Sequence, residues 1–538
     1  MDENARSSDV EVLVVGAGPT GLMMAVWLQK LGARVAVIDG KSGPTRESRA
    51  LGVQARTMEI YHQLGMVNIV LDHAYRAERI APGFESRSFS PVPLAQLGSG
   101  LSPFPGIFIL EQSRTERILV DEFERLGGSV TWLTSLEALE DDARGRGCIA
   151  TVSGPGDGDR ITARFVVGAD GGSSMVRKLR GIPFDGVTNE HTFYVADAHD
   201  VTGVEPGAVS VRFGTDAFLL AFPMASGGHY RLLGTVRLTD RTDAGNVTED
   251  TARAKMHDVF AVDYGQATWF ATYRVHHRVV PRFRDGSVFL AGDAGHVHSP
   301  VGAQGMNTGL QDAHNLALKL VDVLSGRASE PYLDRYDAER RPVARRLILT
   351  TDRIFGAVTS GTRPMRMLRR VGARFVVPTA VRVLPRLPVA PRLFGYVSQI
   401  RIRYRGGDDD GRADRRDTVV GRRLPWTGEN FDVLRSADWQ VHAYGPVTAR
   451  ALVRMTRLLP VDVHAFTSTG ATALRPSHFY LVRPDGFVAA AADADDAVAA
   501  ASLFRLRLRE WGIDPDALGE PARGPGRHYR RGALPDGS

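Results

Sequence analysis

A chain of 538 residues is too long for one compact core, so two to four domains are expected, and its 43% hydrophobic and 24% charged content is ordinary for a globular protein. The net charge of +6 rests on 67 basic residues of which only five are lysine, an arginine excess that fits GC-rich codon usage better than phosphate binding; with no recognition motif beside it, nucleic acid is not an expected partner. The single cysteine, Cys148, excludes a disulfide framework, a Cys-x-x-Cys redox pair and a thiolate zinc site, and suits a reducing cytosol.

The first residues, Met1–Val10, are acidic and polar, unlike a signal peptide, and no run approaches the ~18 apolar residues of a membrane span. A cytoplasmic location without a membrane span is therefore expected. Val10–Val15 reads as a buried strand, followed by Gly16-Ala-Gly-Pro-Thr-Gly21, an apolar helix over Leu22–Leu31, and a second strand over Arg34–Ile38 that ends in Asp39. This is a β-α-β unit. Ser113–Leu126 has helical periodicity, and Phe165–Val167 is a strand running into Gly168-Ala-Asp170-Gly171 and on to Arg177. Between 184 and 284 the pattern changes to short strands, among them Val209–Phe213, Phe218–Phe222, Tyr230–Arg237 and Thr268–Val275, which predicts an inserted antiparallel sheet. Ser287–Leu290 resumes the buried-strand pattern, and Asp312–Leu324 reads as a helix.

From Arg363 to Arg405 there is no acidic residue and prolines recur, which predicts a helical connector or, as the sharper alternative, a membrane-surface or partner-binding segment. Gly406–Asp417 reads as a linker. Beyond it come strands over Trp439–Tyr444 and Val461–Phe466 around a helix at Val447–Leu459, then a hairpin over His478–Val482 and Gly486–Ala490 and a helix at Ala494–Trp511. Arg-Pro-Asp-Gly is that hairpin's turn signal.

Three segments carry chemistry. In the first, Gly16 permits a tight turn, Gly18 lets the backbone approach a pyrophosphate and Gly21 allows close helix–strand packing, while Pro19 and Thr20 lie in the turn ahead of the helix, whose N-terminus presents free N–H groups to phosphate. Asp39 is placed to accept from a ribose hydroxyl, and Gly40 follows it. In the second, Asp170, Gly171 and Arg177 lie at a strand-to-helix corner and offer polar contacts to phosphate. In the third, Gly292 and Asp293 follow a strand where a carboxylate takes polyol hydroxyls, and Gly302 and Gly305 bare the backbone toward a ring carbonyl. His296 and His298 form only an i, i+2 pair, so no metal is expected.

In this order and spacing the three motifs resemble the class A flavoprotein aromatic hydroxylases, which include para-hydroxybenzoate hydroxylase, phenol hydroxylase and aromatic polyketide hydroxylases. The likeness covers roughly Val10 to Arg346, with support from Arg49-Ala50, Arg56-Thr57-Met58-Glu59, Gln112 and Tyr336–Pro342. It implies a discontinuous Rossmann-like α/β FAD-binding domain (1–183 and 285–360), an antiparallel-sheet substrate domain (184–284), a connector (361–410), a thioredoxin-like domain (411–520) and a tail (521–538). It implies FAD contacts from Arg49, Gln112 and Asp293, and an Asp170-Gly171 motif that serves FAD and a transient NADPH or NADH. Pro300, Gly302, Gln304, Gly305, Met306 and Asn307 would then lie against the isoalloxazine and shape the oxygen site.

The implied reaction is hydroxylation of a phenolic or polycyclic aromatic substrate by O2 through a C4a-hydroperoxyflavin. No acid/base residue is assigned; substrate contacts are expected from Leu51, Phe222, Tyr230 and Tyr273, with His229, Arg231, His276 and His277 as further candidates from the insert. Phenol hydroxylase carries an aspartate where this chain has Leu51, which moves the substrate away from phenol itself. Baeyer–Villiger or antibiotic-inactivating oxygenation on the same scaffold is one alternative, and a non-catalytic flavin-binding protein is another. Without cysteine, the C-terminal region would serve packing or homodimerisation, and its removal would change assembly rather than flavin chemistry.

Overall fold

In the computed structural model the described residues are 7–45, 50–143, 145, 147–154, 159–215, 217–224, 228–237, 247–298, 304–359, 383, 387, 390–404, 419–470 and 472–519. The linker 406–417, the tail 521–538 and much of the arginine-rich connector fall outside them.

The first sheet has eight strands. Its centre is β1 (Ser7–Val15), flanked in parallel by β2 (Val35–Asp39) and by Arg160–Gly168, with Val12 opposite both Val35 and Phe165. Val12, Leu13 and Val14 are completely buried, as expected of a central strand covered on both faces. Val288–Leu290 joins the far side of Arg160–Gly168 in parallel, so the segment after the insert returns to the same sheet. Helix α1 (Pro19–Lys30) packs against Gln112–Arg125 and against the long helix Gly305–Leu324. Both α1 and the long helix begin earlier than the apolar pattern suggests. Proline is tolerated at a first helical position, and Gly305–Gln311 continues the turn although its composition reads as loop.

The second sheet has nine strands and extends beyond the antiparallel insert expected over 184–284. Gly186–Ala198, Tyr230–Arg237, Phe218–Pro223 and Ala267–Val279 pair antiparallel, but Ala208–Phe213 pairs in parallel with Arg79–Phe84 from the preceding segment. His296–Val297 adds to the opposite edge. Both edges are thus closed by chain outside 184–284, which satisfies backbone groups that an isolated insert would leave exposed. Alternation along the strands makes two faces. Tyr194, Leu219, Tyr230 and Leu232 pack under the helix Glu249–Phe260, whereas Phe193, Phe222 and Leu233 face Leu51.

The C-terminal sheet runs Asp462–Phe466, Gln440–Tyr444, His478–Val482, Val488–Asp493, with the first pair parallel and the others antiparallel. Its last strand starts at Val488 rather than at Gly486. Residues 483–487 form a turn instead, with the Gly486 amide donating to Arg483 O at 2.9 Å and Gly486 at φ +75°. Among the described residues no helix is long and apolar enough to cross a membrane.

Candidate active site

A cleft of about 1040 Å³ extends from the Gly16–Gly21 turn to the second sheet. Where that turn meets the cleft, the three glycines have different surroundings. A Cβ on Gly16 would lie 2.5 Å from Ala169 O, and one on Gly21 would lie 1.9 Å from Gly16 O, so these two glycines allow backbone to touch backbone. A Cβ on Gly18 would meet nothing within 4 Å, so Gly18 opens onto the cleft, as do Pro19 and Thr20. Asp39 accepts from Ala17 N at 2.6 Å through Oδ2 and from Lys41 N at 2.8 Å through Oδ1, fixing its carboxylate at the rim beside Gly40. Glu116, absent from the sequence reading, is buried here. It accepts from Gln112 Nε2 at 3.0 Å and from Thr45 N at 2.7 Å, and stands 3.6 Å from Lys41 Nζ. Its i, i+4 spacing from Gln112 on one helix was the available signal.

In the middle of the cleft, Asp170 caps the helix Met175–Leu179, its Oδ2 accepting from Met175 N at 2.6 Å and Val176 N at 3.2 Å. Its other oxygen, Oδ1, is buried without a hydrogen-bond partner, the situation of an acceptor awaiting a ligand hydroxyl or amide. Burial raises the pKa of this carboxyl, against the pull of the Ser174 hydroxyl and the neighbouring amides. Gly171, at φ +77° with open space where a Cβ would be, also lines the cleft. Asp293 stands exposed at the cleft wall, and Gln304, Gly305 and Met306 bring the N-terminus of the long helix there.

Three residues expected at the cofactor do not line the cleft. Arg177 donates to Ala294 O at 2.9 Å and to Gly172 O at 2.8 Å and covers the Phe184 ring at 4.0 Å, so it ties the second motif to the third. Asn307 accepts from Gln54 N at 2.9 Å and Thr57 Oγ1 at 2.7 Å and donates to Gly52 O at 2.7 Å, bracing the helix rather than facing the cleft. Gly292, at φ +59°, packs against Thr20, where a Cβ would come within 2.6 Å of the hydroxyl. Arg49, Pro300 and Gly302 fall outside the described residues.

Behind the third motif, His296 Nε2 lies 2.6 Å from Asp312 Oδ2, and Arg340 Nε donates to Asp312 Oδ1 at 2.6 Å. Gly292 N also donates to Asp312 at 3.2 Å. Burial alone would raise the Asp312 pKa; Arg340 and His296 hold it below the ordinary value. His296 is thereby a structural partner of a carboxylate.

The far end of the cleft is walled by Leu51, Phe222, Leu233, Tyr273 and Arg231. Tyr273 stacks on Phe193 with centroids 5.7 Å apart, and Leu51 is buried in the same cluster. Arg231 pairs with Asp197 at 2.5 Å and lies 5.4 Å from the Trp269 ring centroid. Tyr230, next to Arg231 on its strand, points to the opposite face and does not line the cleft, since neighbours on a strand alternate. His229 stacks on His199 at 4.2 Å away from the cleft wall, with a pKa lowered by burial and by His199. His277 does not line the cleft either, and the side chain of His276 is outside the description. Phe184 and Arg278 line the cleft without any sequence signal.

The family described as FAD binding domain matches residues 9–351, and a curated relative is 37% identical over 507 residues. The chain belongs to the FAD-dependent aromatic monooxygenases. That relative, the 12-dehydrotetracycline 5-monooxygenase/anhydrotetracycline 6-monooxygenase of Streptomyces rimosus subsp. rimosus, is covered to 94% and covers 89% of this chain. A rifampicin monooxygenase of Streptomyces venezuelae is 34% identical over 353 residues, 63% of this chain and 70% of its own length. Among solved structures, CabE, an aromatic hydroxylase from angucycline biosynthesis, superimposes with a TM-score of 0.73 at 28% identity, over 94% of this chain and all of its own. The monooxygenase uses FAD with O2 and NAD(P)H, and the cleft fits that cofactor: open space at Gly18 and Gly171, an unpartnered buried acceptor on Asp170, and a helix N-terminus at each end.

Proposed function

We propose that this monooxygenase hydroxylates a polycyclic phenolic substrate lodged between Leu51, Phe222, Leu233 and Tyr273. The observation that carries this reading is the continuity of the cleft, which joins the Gly16–Gly21 turn to an apolar aromatic wall without interruption. Gly18, Asp39 and Gln112 would hold the adenosine diphosphate half of FAD, with Asp170, Asp293 and Gln304–Met306 at the ribitol and ring. Bound FAD supplies oxygen activation, and the protein positions the two reactants. The apolar wall excludes water, the stacked Tyr273–Phe193 pair keeps that wall rigid, and the Arg231–Asp197 pair sets one fixed polar boundary on how an aromatic ring can lie.

Incubation with NADPH, O2 and a panel of mono- and polycyclic phenols, with products identified by mass, tests the reading. A gain of one oxygen atom on a polycyclic phenol is expected; turnover confined to monocyclic phenols would overturn the substrate class. The rifampicin monooxygenase among the relatives favours a second reading, oxygenation that inactivates an aromatic antibiotic, and adding rifampicin to the panel with an assay for loss of antibacterial activity separates the two. We read the C-terminal body as thioredoxin-like, on its parallel pair followed by an antiparallel hairpin with helices Ala449–Leu458 and Ala497–Glu510. The chain's single cysteine is Cys148, so this body performs no disulfide exchange. A cytoplasmic location fits a consumer of NAD(P)H, and a homodimer is compatible with the fold.

A further inference from the structure

The Arg483-Pro484-Asp485-Gly486 turn of the C-terminal sheet, on its sequence only a tight turn, is buried against the FAD-binding domain. Arg483 forks onto Glu339 at 2.6 and 2.8 Å and also bonds Asp485. Asp485 accepts from Asn315 Nδ2 at 3.2 Å, and its carbonyl accepts from Arg56 Nη2 at 2.8 Å. Gln63 donates to Pro484 O at 2.6 Å and to Leu434 O at 2.9 Å, while its oxygen meets His314 Nε2 at 3.0 Å. Lys319 closes the cluster on Glu339 at 2.9 Å. All these side chains are buried.

A charged cluster of this kind is weak evidence of stabilisation as such, because desolvation offsets the attraction. Its geometry, however, is specific, and two routes lead from it to the cleft. Arg56 and Gln63 belong to the helix α2 (Ala55–Leu64), whose Thr57 donates to Asn307, the residue directly after Gln304–Met306 in the first turn of the long helix. On the other route, Phe487 stacks on Tyr404 at 4.1 Å, and the Tyr404 hydroxyl accepts from Arg340 Nη1 at 3.2 Å. Arg340 in turn holds Asp312, which fixes the Gly292 amide beside Asp293.

We infer that Arg483 and Asp485 are positioning residues for the flavin, so that the C-terminal body completes the FAD site instead of being an appended module. The inference rests on the assignment of the cleft to FAD and reverses the expectation that removing this body leaves flavin chemistry untouched. An arginine at 483 is required because both oxygens of Glu339 are engaged at once; lysine offers one point charge.

The test is made on full-length protein. Apoprotein of Arg483→Ala, Arg483→Lys and Asp485→Ala is titrated with FAD, following flavin fluorescence for the dissociation constant and visible circular dichroism for the ring's orientation. Arg483→Ala and Asp485→Ala should raise the dissociation constant about tenfold or more and alter the dichroism, with Arg483→Lys intermediate, in the range expected for coupling through packed networks. Asn430→Ala serves as the control. It removes the bonds to Tyr444 and Pro425 within the C-terminal body, so it lowers the melting temperature while leaving FAD affinity and dichroism unchanged. If Arg483→Ala does not fold, Gln63→Leu, which loses only the bonds to 434, 484 and 314, is read in the same way. Wild-type affinity and dichroism in the folded hairpin variants would overturn the inference. So would an equal loss of FAD from Asn430→Ala, because the effect would then be general destabilisation. Loss of colour from wild-type protein on mutating Gly18 tests the cleft assignment separately.

Discussion

Asp312 and Arg340 meet at 2.6 Å with neither side chain accessible to solvent, directly behind the turn that presents Asp293. Removing one partner of such a pair leaves an uncompensated buried charge, which costs roughly 3–5 kcal/mol. Arg340→Met is therefore expected to lower the unfolding midpoint severely and to release FAD. Pairing it with Asp312→Asn should restore part of the loss, because the remaining amide is neutral and still bonds His296 and Gly292. Urea unfolding of the two single variants and the double variant measures this; strictly additive losses would show that the two side chains do not act together.

The glycines of the first motif separate folding from ligand binding. Gly18→Val places its side chain in open space, so the protein should fold with a melting temperature near wild type while FAD affinity drops by about two orders of magnitude, roughly 3 kcal/mol. Gly21→Ala puts a methyl group 1.9 Å from Gly16 O and should impair folding itself. Flavin absorbance together with thermal melting distinguishes the two. A yellow Gly18→Val protein would refute the site assignment.

Those glycines were legible from sequence because their function is local: φ angle, close approach and helix start are set by a few consecutive residues. Asp39, Asp170 and Asp293, each following a strand, were placed together for the same reason, and all three line the cleft. Arg177 and Asn307 have side chains whose chemistry suits a ligand, whereas the folded chain gives Arg177 backbone carbonyls and Asn307 both backbone groups and the Thr57 hydroxyl as partners. The turn at 483–486 was read correctly as a turn. Its function was hidden because Glu339 lies 144 residues away. The strand Arg79–Phe84 was missed since its pairing with Ala208–Phe213 crosses the presumed domain border.

Stability should fall in mild acid. Burial holds His314 and His442 well below the ordinary value of 6.5, with Arg56 adding to the effect at His314 and His464 at His442. The unfolded chain takes up these protons below pH 6.5 and the folded chain does not, so their contribution is complete above 6.5 and is lost as the pH falls. At pH 5.5 each costs up to about 1.4 kcal/mol. His442→Gln, which retains a bond toward Tyr444 or Gln440, should flatten the pH dependence by one such step. Urea midpoints between pH 8 and 5.5 provide the check, and an unchanged slope in the variant would exclude His442 as a contributor.

Leu51 lines the cleft at its apolar wall, 5% exposed and packed with Phe193, Phe222 and Leu233. The cation of that wall, Arg231, is already paired with Asp197, so Leu51→Asp both polarises the wall and removes buried apolar surface. Full burial of one leucine is worth about 1.5–3 kcal/mol. For a polycyclic phenol that covers the whole wall, kcat/KM should therefore fall by about tenfold or more. A monocyclic phenol covers less of the wall and needs its hydroxyl deprotonated, so it loses less and can gain from a nearby base. The ratio of kcat/KM for the two substrate sizes should shift toward the small one. A uniform decrease for both would mean that Leu51 supports the flavin alone and that size selection resides at Phe222 and Tyr273.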